Sequence, residues 1–188
     1  MGLEGVVLAA GYSRRAGTFK MTLEIEKTTI IEKCIAGMYE LCSRIIVVSG
    51  FQAAKLEQVL AGYPKVDIVF NKHYHLGMFS SVKFGFQQVR SERFFFTPGD
   101  YPLVSREVYT ALVNVNGEVV VPVYRGHPGH PLLLQGVLAR ELVQDSRCTN
   151  LREFLAHKNL VTVGVQEPGI LQDIDTFDDY QRMVNGVE

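Results

Sequence analysis

The sequence lacks the features that mark nucleic-acid-binding and membrane proteins. Its 188 residues carry a formal net charge of −1, so there is no strongly basic balance of the kind that binds nucleic acid. No apolar run approaches the roughly 20 residues of a membrane span, and the N-terminal stretch has no basic region like that of a signal peptide. We therefore expect no nucleic acid and no membrane among its partners, and a single domain over residues 1–188.

Cysteine is scarce, and its spacing excludes a disulfide framework. Cys34, Cys42 and Cys148 form no CxxC pair and leave one thiol over, which is typical of a protein of the reducing cytoplasm. Cys34 and Cys42 fall on the apolar face of a predicted helix, where we expect them to pack in the core. The five histidines have no third soft ligand at zinc-like spacing, although His73 and His75 would share one face of a strand.

Three common catalytic motifs are also missing. The sequence contains no GxxxxGK[ST] of a P-loop and no GxGxxG of a dinucleotide-binding fold. It contains no GxSxG of a serine hydrolase. A P-loop NTPase, an NAD-dependent dehydrogenase and a nucleophilic serine enzyme are therefore disfavoured.

What the sequence does contain is a regular alternation of strands and helices. Buried strands are predicted at 6–10, 44–50, 66–70 and 93–97, and a minor strand at 21–25. Helices are predicted between them, one beginning at Thr29 with Glu32 as a capping box and one over 82–90. Segments 118–123 and 131–135 read as an antiparallel hairpin, and Thr176 with Asp179 would cap a last helix. This order predicts an α/β fold with a mostly parallel sheet, helices on both faces and a small antiparallel hairpin.

Four loops follow predicted parallel strands, so we expect them at one edge of the sheet, where such folds bind ligands. The first loop, Ala10–Lys20, holds Gly11 and Gly17, which permit positive φ or close backbone approach, and the cations Arg15 and Lys20. This composition suits a bound polyphosphate, although a solvated turn would have a similar one.

Carboxylates near strand ends provide the possible partner of that loop. Asp100 follows the apolar run Phe94–Phe96, and a carboxylate at this place suits Mg²⁺ held together with substrate phosphates. Alone, Asp100 would also fit an ordinary turn. Asp173 and Asp175 would point to one face if Leu171–Asp175 is extended, and two like charges there call for a cation or solvent.

The motifs together resemble those of the molybdopterin nucleotidyltransferases. LAAGYSRRAGTFK is similar to the LAAGxSxRMGxxK signature of molybdenum cofactor cytidylyltransferases, within a MobA-like NTP transferase family. The resemblance continues, in the family's order, through Asn71, Gly77–Ser81, Gly99–Pro102, Gly129–Pro131 and Asp173–Thr176. It implies a Rossmann-like nucleotidyltransferase fold and Mg²⁺-dependent transfer of an NMP to the terminal phosphate of molybdopterin, with release of pyrophosphate.

The resemblance also implies roles for individual residues. Arg15, Lys20 and Asp100 would be catalytic, the two cations on the triphosphate and Asp100 on Mg²⁺ with Asp173 or Asp175 beside it. The nucleotide would be held by Leu8, Ala9, Ala10, Gly11 and Ser13, with its base or ribose near Asn71, Gly77, Ser80 and Ser81. His130 would line the acceptor side.

The nucleotide and the acceptor are less determined than the chemistry. Guanylyl-transferring relatives typically carry LAGG where this chain has LAAG, so Ala10 favours CTP over GTP or another NTP. The chain departs from the family pattern at Ala16, at Glu26–Thr28 and over Asp145–Arg152. A nucleotidyltransferase acting on a sugar or alcohol phosphate stays open, as does a non-catalytic nucleotide-binding maturation partner of a molybdoenzyme. A molybdoenzyme apoprotein or its chaperone stays open as a protein partner.

Overall fold

The computed structural model describes residues 2–186. The strands of this part are Leu3–Ala9 (β1), Glu24–Ile25 (β2), Thr28–Thr29 (β3), Cys42–Ser49 (β4), Val66–Phe70 (β5), Arg93–Pro98 (β6), Val119–Tyr124 (β7), His127–Pro128 (β8), Leu132–Gln135 (β9) and Leu160–Gly164 (β10). Its α-helices are Ile30–Tyr39 (α1), Ala53–Leu60 (α2), Met78–Phe86 (α3), Arg106–Val113 (α4), Gly136–Gln144 (α5), Leu151–Leu155 (α6) and Phe177–Asn185 (α7). Short 3-10 turns lie at Arg14–Ala16, Lys20–Thr22, Tyr74–Leu76 and Pro168–Leu171.

One large sheet organises the molecule, in the order β10-β7-β9-β6-β1-β4-β5, with β8 beside β7. β1 pairs in parallel with β4 and β6, β4 with β5, and β7 with β10. β9 is antiparallel to both β6 and β7, so the predicted hairpin lies inside the sheet rather than beside it. The prediction of a mostly parallel sheet with a small antiparallel part is confirmed.

Helices cover both faces of the sheet because its central strands are apolar on both sides. Val6 and Val7 are neighbours in β1 and are both fully buried, on opposite faces. Val7 packs in a core cluster with residues of α1, α2 and α4, whereas Val6 packs in a second cluster with residues of α3, α5 and α6. A smaller third cluster, around Ile25, Ile30 and Ile174, joins β2 and the start of α1 to the segment before α7.

Capping residues delimit two helices as the sequence predicts. Thr29 and Glu32 form a complete capping box at α1, and Thr176 and Asp179 form another at α7. Across residues 2–186, no helix combines the length and the apolar character that crossing a membrane requires.

Several local predictions were wrong. Cys42 is buried in β4 and not on a helix, because α1 ends at Tyr39 and the strand starts three residues later, after a tight turn. His73 directly precedes the 3-10 turn at Tyr74–Leu76 and His75 lies within that turn, so the two histidines do not share a strand face. The helix predicted at 82–90 is α3 and begins at Met78, directly after Gly77, whose φ of 100° ends the preceding turn. The segment from Gln172 to Thr176 contains no strand.

Candidate active site

The loops after β1, β5 and β6 line one cavity of about 450 Å³ at the carboxyl edge of the sheet. Asp175 joins them from the segment before α7. Predicted site residues among its walls are Leu8, Ala10, Gly11, Ser13, Arg15, Lys20, Gly77, Ser81, Asp100 and Asp175. The sheet thus brings together residues that lie far apart in the sequence, as the topology predicts.

The glycine loop is a compact turn with a fixed shape. Ser13 has left-handed φ (52°) and its Oγ accepts a hydrogen bond from the Lys20 backbone N–H at 3.3 Å. Gly17 ends the following 3-10 turn with φ 67°, a conformation that a side chain would strain. This shape turns Lys20 inward, so that it is buried while Arg15 stays in solvent.

Lys20 is the centre of the site. Its Nζ donates to Asp100 Oδ2 at 2.6 Å and to the Ile174 carbonyl at 2.7 Å, and lies 3.5 Å from Asp175 Oδ1. The side chains of Lys20 and Asp100 are only 10% and 15% exposed, so this is a nearly buried ion pair. The Ile174 N–H donates to the Asp100 carbonyl at 3.0 Å and fixes the two acidic segments to each other. Lys20 therefore links the glycine loop to both groups of acids.

Asp100, Asp173 and Asp175 form a carboxylate cluster with the chemistry of a divalent-cation site. One oxygen from each lies within 4.8 Å of the others. Asp100 Oδ1 is buried and has no hydrogen-bond partner among the described residues. Burial, and then the charges of Asp175 and Asp100, raise the pKa of Asp173 above its ordinary value. An orphaned carboxylate oxygen beside two further carboxylates fits a hard cation such as Mg²⁺, which neutralises the mutual repulsion.

Asp175 has a second cationic partner in Arg15. Arg15 Nη1 lies 2.8 Å from Asp175 Oδ2, and its Nη2 donates to Oδ1 at 3.1 Å. The pair is bidentate and joins residues that are 160 positions apart. Its members are more exposed than Lys20, with 71% and 33% of their side-chain surfaces accessible.

Asn71 and the two serines after it hold the loop between β5 and α3. Asn71 is buried, and its Nδ2 donates to Ser80 Oγ at 3.1 Å and Ser81 Oγ at 3.0 Å, while its Oδ1 accepts the His73 N–H. The Asn71 side-chain amide therefore makes its hydrogen bonds within its own loop and supports the cavity wall without lining the cavity. Ser81 reaches the cavity wall, whereas Ala9 faces the core.

A second, more apolar cavity of about 600 Å³ lies beside the first. The two cavities share Met78 and Pro98 in their walls. His130 lines the second one, and its ring centroid is 5.0 Å from that of Tyr101, the neighbour of Asp100. Burial lowers the pKa of His130 to about 4, so its imidazole is neutral at pH 7.

Sequence reasoning missed the aromatic residues of the site. Tyr12 and Tyr74 line the first cavity with their ring centroids 5.3 Å apart, and Tyr101 lines the second. All three lie inside or directly beside the quoted motifs, in loops that follow strands. An aromatic residue in a strand-end loop was the available signal, because such side chains are common in ligand pockets.

Comparison with known proteins gives concordant matches. The family model of the MobA-like NTP transferase domain matches residues 5–163. The molybdenum cofactor cytidylyltransferase of Escherichia coli (strain K12) is 32% identical over 179 residues, which are 95% of this chain and 93% of that protein. A Methanosarcina acetivorans protein named "Probable molybdenum cofactor guanylyltransferase" is 28% identical over an alignment of 202 residues, covering 97% of this chain and 90% of that protein.

The fold is also found among solved structures. A crystal structure of a Mycobacterium tuberculosis H37Rv protein superimposes with a TM-score of 0.83 over 98% of both chains, at 23% identity. That protein has also been solved in complex with manganese. The matched region contains the glycine loop, Asp100 and His130. The chain therefore belongs to the MobA-like NTP transferase family and is a nucleotidyltransferase.

Proposed function

We propose that the protein transfers CMP from CTP to the terminal phosphate of a molybdopterin-type acceptor and releases pyrophosphate. The observation that carries the proposal is the adjacency of two cavities that share Met78 and Pro98, with the carboxylate cluster at the first of them. The first cavity has a cationic glycine loop, as a triphosphate requires, and the second is mostly apolar, as a ring system requires. Asp100 and Tyr101 are consecutive residues that line one cavity each.

On the nucleotide side, the chain supplies positioning and positive charge. Leu8, Ala10 and Gly11 form the floor at the end of β1, with Ala9 and Ser13 holding the backbone of that turn. Arg15 and Lys20 bind the triphosphate, and the loop fastened by Asn71 and Ser80 places Gly77 and Ser81 at the base or ribose. Fixed donors of this kind stabilise charge as it develops on the phosphate oxygens.

The resident cation of this proposal is Mg²⁺, held by Asp100 with Asp173 or Asp175. Bound there, it would neutralise phosphate charge and polarise the phosphorus that is attacked. The manganese complex of the mycobacterial protein is consistent with a divalent cation in this fold.

The reaction is a displacement at the α-phosphorus of the nucleotide. An oxygen of the acceptor's terminal phosphate forms a bond to that phosphorus, and the bond from the phosphorus to the oxygen bridging it to the β-phosphate breaks. Pyrophosphate leaves with that oxygen and its electron pair. Both phosphates are anionic, so the cations Arg15 and Lys20 favour their approach. His130, neutral in its buried position, lines the acceptor side as a hydrogen-bonding group.

The choice of CTP rests on two observations. Ala10 occupies the place at which guanylyl-transferring relatives typically carry glycine, and the Escherichia coli relative named above is a cytidylyltransferase. The guanylyltransferases among the relatives make GTP the competing substrate.

Thermal unfolding with each of the four NTPs and Mg²⁺ tests the nucleotide. A ligand that binds the native state at 100 times its Kd stabilises it by about 2.7 kcal/mol, so CTP is expected to raise the melting temperature most. Equal shifts for all four nucleotides would contradict the choice of CTP, and a larger shift with GTP would assign a guanylyltransferase.

Pyrophosphate release tests the reaction. With CTP, Mg²⁺ and molybdopterin we expect turnover, which Asp100→Asn lowers by at least about 100-fold because one metal-binding charge is lost. Asp178→Asn, an exposed acid in the first turn of α7, is the matched control and keeps its activity. Turnover with sugar 1-phosphates instead of molybdopterin would reassign the acceptor, and full activity of Asp100→Asn would refute the role of Asp100.

A further inference from the structure

Arg15 and Asp175 are paired with each other, so the guanidinium of one and the carboxylate of the other are both already occupied. Asp175 Oδ2 is 2.8 Å from Arg15 Nη1, and Asp175 Oδ1 accepts a hydrogen bond from Arg15 Nη2 at 3.1 Å. Lys20 Nζ lies 3.5 Å from the same Oδ1. Both oxygens of Asp175 therefore face cations, and the forked end of Arg15 is turned to a carboxylate.

The two ligands of the site need these same groups. A divalent cation held by all three acids of the cluster takes an oxygen of Asp175, and a triphosphate held by the glycine loop takes the guanidinium of Arg15. A cation that enters alone must displace Arg15 from Asp175. A triphosphate that binds alone must draw Arg15 away from Asp175. The Asp175 carboxylate then lacks that cation and still lies beside two other carboxylates.

Lys20 does not share this behaviour. It is 10% exposed and bonded at the same time to Asp100 and to the Ile174 carbonyl, so its position is fixed by the fold. Arg15 is 71% exposed on its 3-10 turn and can swing into solvent without opening the core. An ion pair with that exposure contributes little to stability, so exchanging its partners costs little.

We propose that the Arg15–Asp175 pair is an exchangeable latch that couples metal binding to triphosphate binding. When both ligands bind, Asp175 passes from Arg15 to the cation, and Arg15 passes from Asp175 to the triphosphate. Each ligand thus removes the competitor of the other. By thermodynamic linkage, the factor by which the cation raises triphosphate affinity equals the factor by which triphosphate raises cation affinity.

The latch predicts a change in metal affinity that would not be expected if Arg15 only bound phosphate. Removing Arg15 frees Asp175, so the affinity of the protein for the metal alone should rise. A residue that only binds triphosphate would leave that affinity unchanged. This inference rests on the proposed function, because it assumes that a cation and a triphosphate meet at the cluster.

The first experiment measures Mn²⁺ binding without nucleotide, by calorimetry, for the wild type, Arg15→Gln and Arg14→Gln. Arg14 is the matched control, since it carries the same charge one residue away but lies over the Tyr12 ring at 4.7 Å. We expect Arg15→Gln to bind Mn²⁺ roughly 5-fold more tightly than wild type, the lower end of usual coupling factors. Arg14→Gln should change the affinity much less. An unchanged affinity in Arg15→Gln, or equal gains in both variants, would overturn the latch.

The second experiment uses inorganic triphosphate in the presence of EDTA, so that no metal takes part. Asp175→Asn releases Arg15 and should bind triphosphate more tightly than Asp173→Asn, which removes the same charge but leaves the pair intact. Equal affinities of the two variants would contradict the latch. Neither experiment depends on CTP, the acceptor or turnover. A latch that fails here leaves the proposed function standing, and a protein that fails to transfer CMP can still show the latch.

Discussion

Lys20 is the residue on which the acid cluster depends. It forms a nearly buried pair with Asp100, whose other oxygen has no partner in the described part of the chain. Breaking a buried pair from one side leaves an uncompensated charge and costs about 3–5 kcal/mol. We expect Lys20→Met to lower the free energy of unfolding by an amount near the lower end of that range in EDTA, measured by urea denaturation.

Lys33→Met is a suitable control for this loss. Lys33 Nζ lies 2.9 Å from Glu26 Oε2, but the Glu26 side chain is 84% exposed. The pair should therefore contribute less than about 1 kcal/mol to the free energy of unfolding. A loss in Lys20→Met no greater than in Lys33→Met would show that the Lys20–Asp100 pair is not needed for stability.

Asp173 gives the cluster a dependence on pH. Burial and the neighbouring acids raise the pKa of Asp173 above 3.8, so the folded chain binds this proton more tightly than the unfolded chain does. The resulting stabilisation is complete below the unfolded pKa and is lost as pH rises through the folded pKa. Asp173→Asn should therefore raise the melting temperature at pH 7 in EDTA, with a gain that disappears below about pH 4.

Asp179 provides the opposite case in the same part of the chain. Hydrogen bonds from the Thr176 side chain and backbone lower the pKa of Asp179, so its stabilisation is present above the unfolded pKa and lost at acid pH. Asp179→Asn should lower the melting temperature at pH 7. If the melting temperatures of Asp173→Asn and Asp179→Asn shift in the same direction at pH 7, repulsion among the clustered carboxylates does not limit stability.

At the scale of elements, close packing of two turns shapes the acceptor side. A Cβ built on Gly129, the residue before His130, would lie 2.2 Å from the carbonyl oxygen of Ile170 in the 3-10 turn at Pro168–Leu171. The same carbonyl accepts the His130 N–H at 2.9 Å. Gly129→Ala must push the two turns apart, and we expect it to cost about 1–3 kcal/mol in urea denaturation.

Gly164→Ala is the control, because its Cβ would meet nothing within 4 Å at the end of β10. It should change the free energy of unfolding by no more than about 0.5 kcal/mol. Equal stability of Gly129→Ala and Gly164→Ala would show that the contact between the turns can relax without cost.

The elements also show where sequence reasoning ends. β1, β4 and β6 were predictable because each is a run of apolar residues buried on both faces. α3 was placed four residues late because Gly77 and the serines after it are typical of loops, although the helix begins at Met78, directly after Gly77. Cys42 was misplaced because the apolar spacing of α1 continues across the turn into β4. Periodicity identifies elements but not their boundaries when apolar residues flank both sides.

At the scale of the molecule, the order of the parallel strands predicted that the glycine loop and Asp100 would lie at one edge. It did not predict that the whole carboxylate cluster would form there. Parallel strands bring the glycine loop and Asp100 to one edge, and this followed from the order of the elements. Asp173 and Asp175 reach that edge from irregular chain after β10, held there by the bond between the Ile174 N–H and the Asp100 carbonyl. Such a long-range contact leaves no periodic signal, so the sequence alone could not place Asp175 between Arg15 and Lys20.

The division of the site into two cavities leads to a prediction about the molecule as a whole. Ala156 is exposed at the end of α6 and lines only the apolar cavity among those described, away from the glycine loop. Ala156→Phe should partly fill that cavity without disturbing the core and raise the KM for the acceptor by roughly 10-fold, equivalent to about 1.4 kcal/mol of lost binding. The Kd of CTP, measured by calorimetry, should stay unchanged.

Ala111→Phe is the matched control, because Ala111 lies on α4, which packs on the opposite face of the sheet, and lines neither cavity of the site. Kinetics with varied acceptor should leave this control like the wild type. If Ala156→Phe weakens CTP and acceptor equally, the two cavities act as one binding site. If it weakens neither, the acceptor does not enter the apolar cavity. Separate effects are expected because a displacement at phosphorus needs its two substrates on opposite sides of the reacting atom, and Asp100 lines the first cavity while its neighbour Tyr101 lines the second.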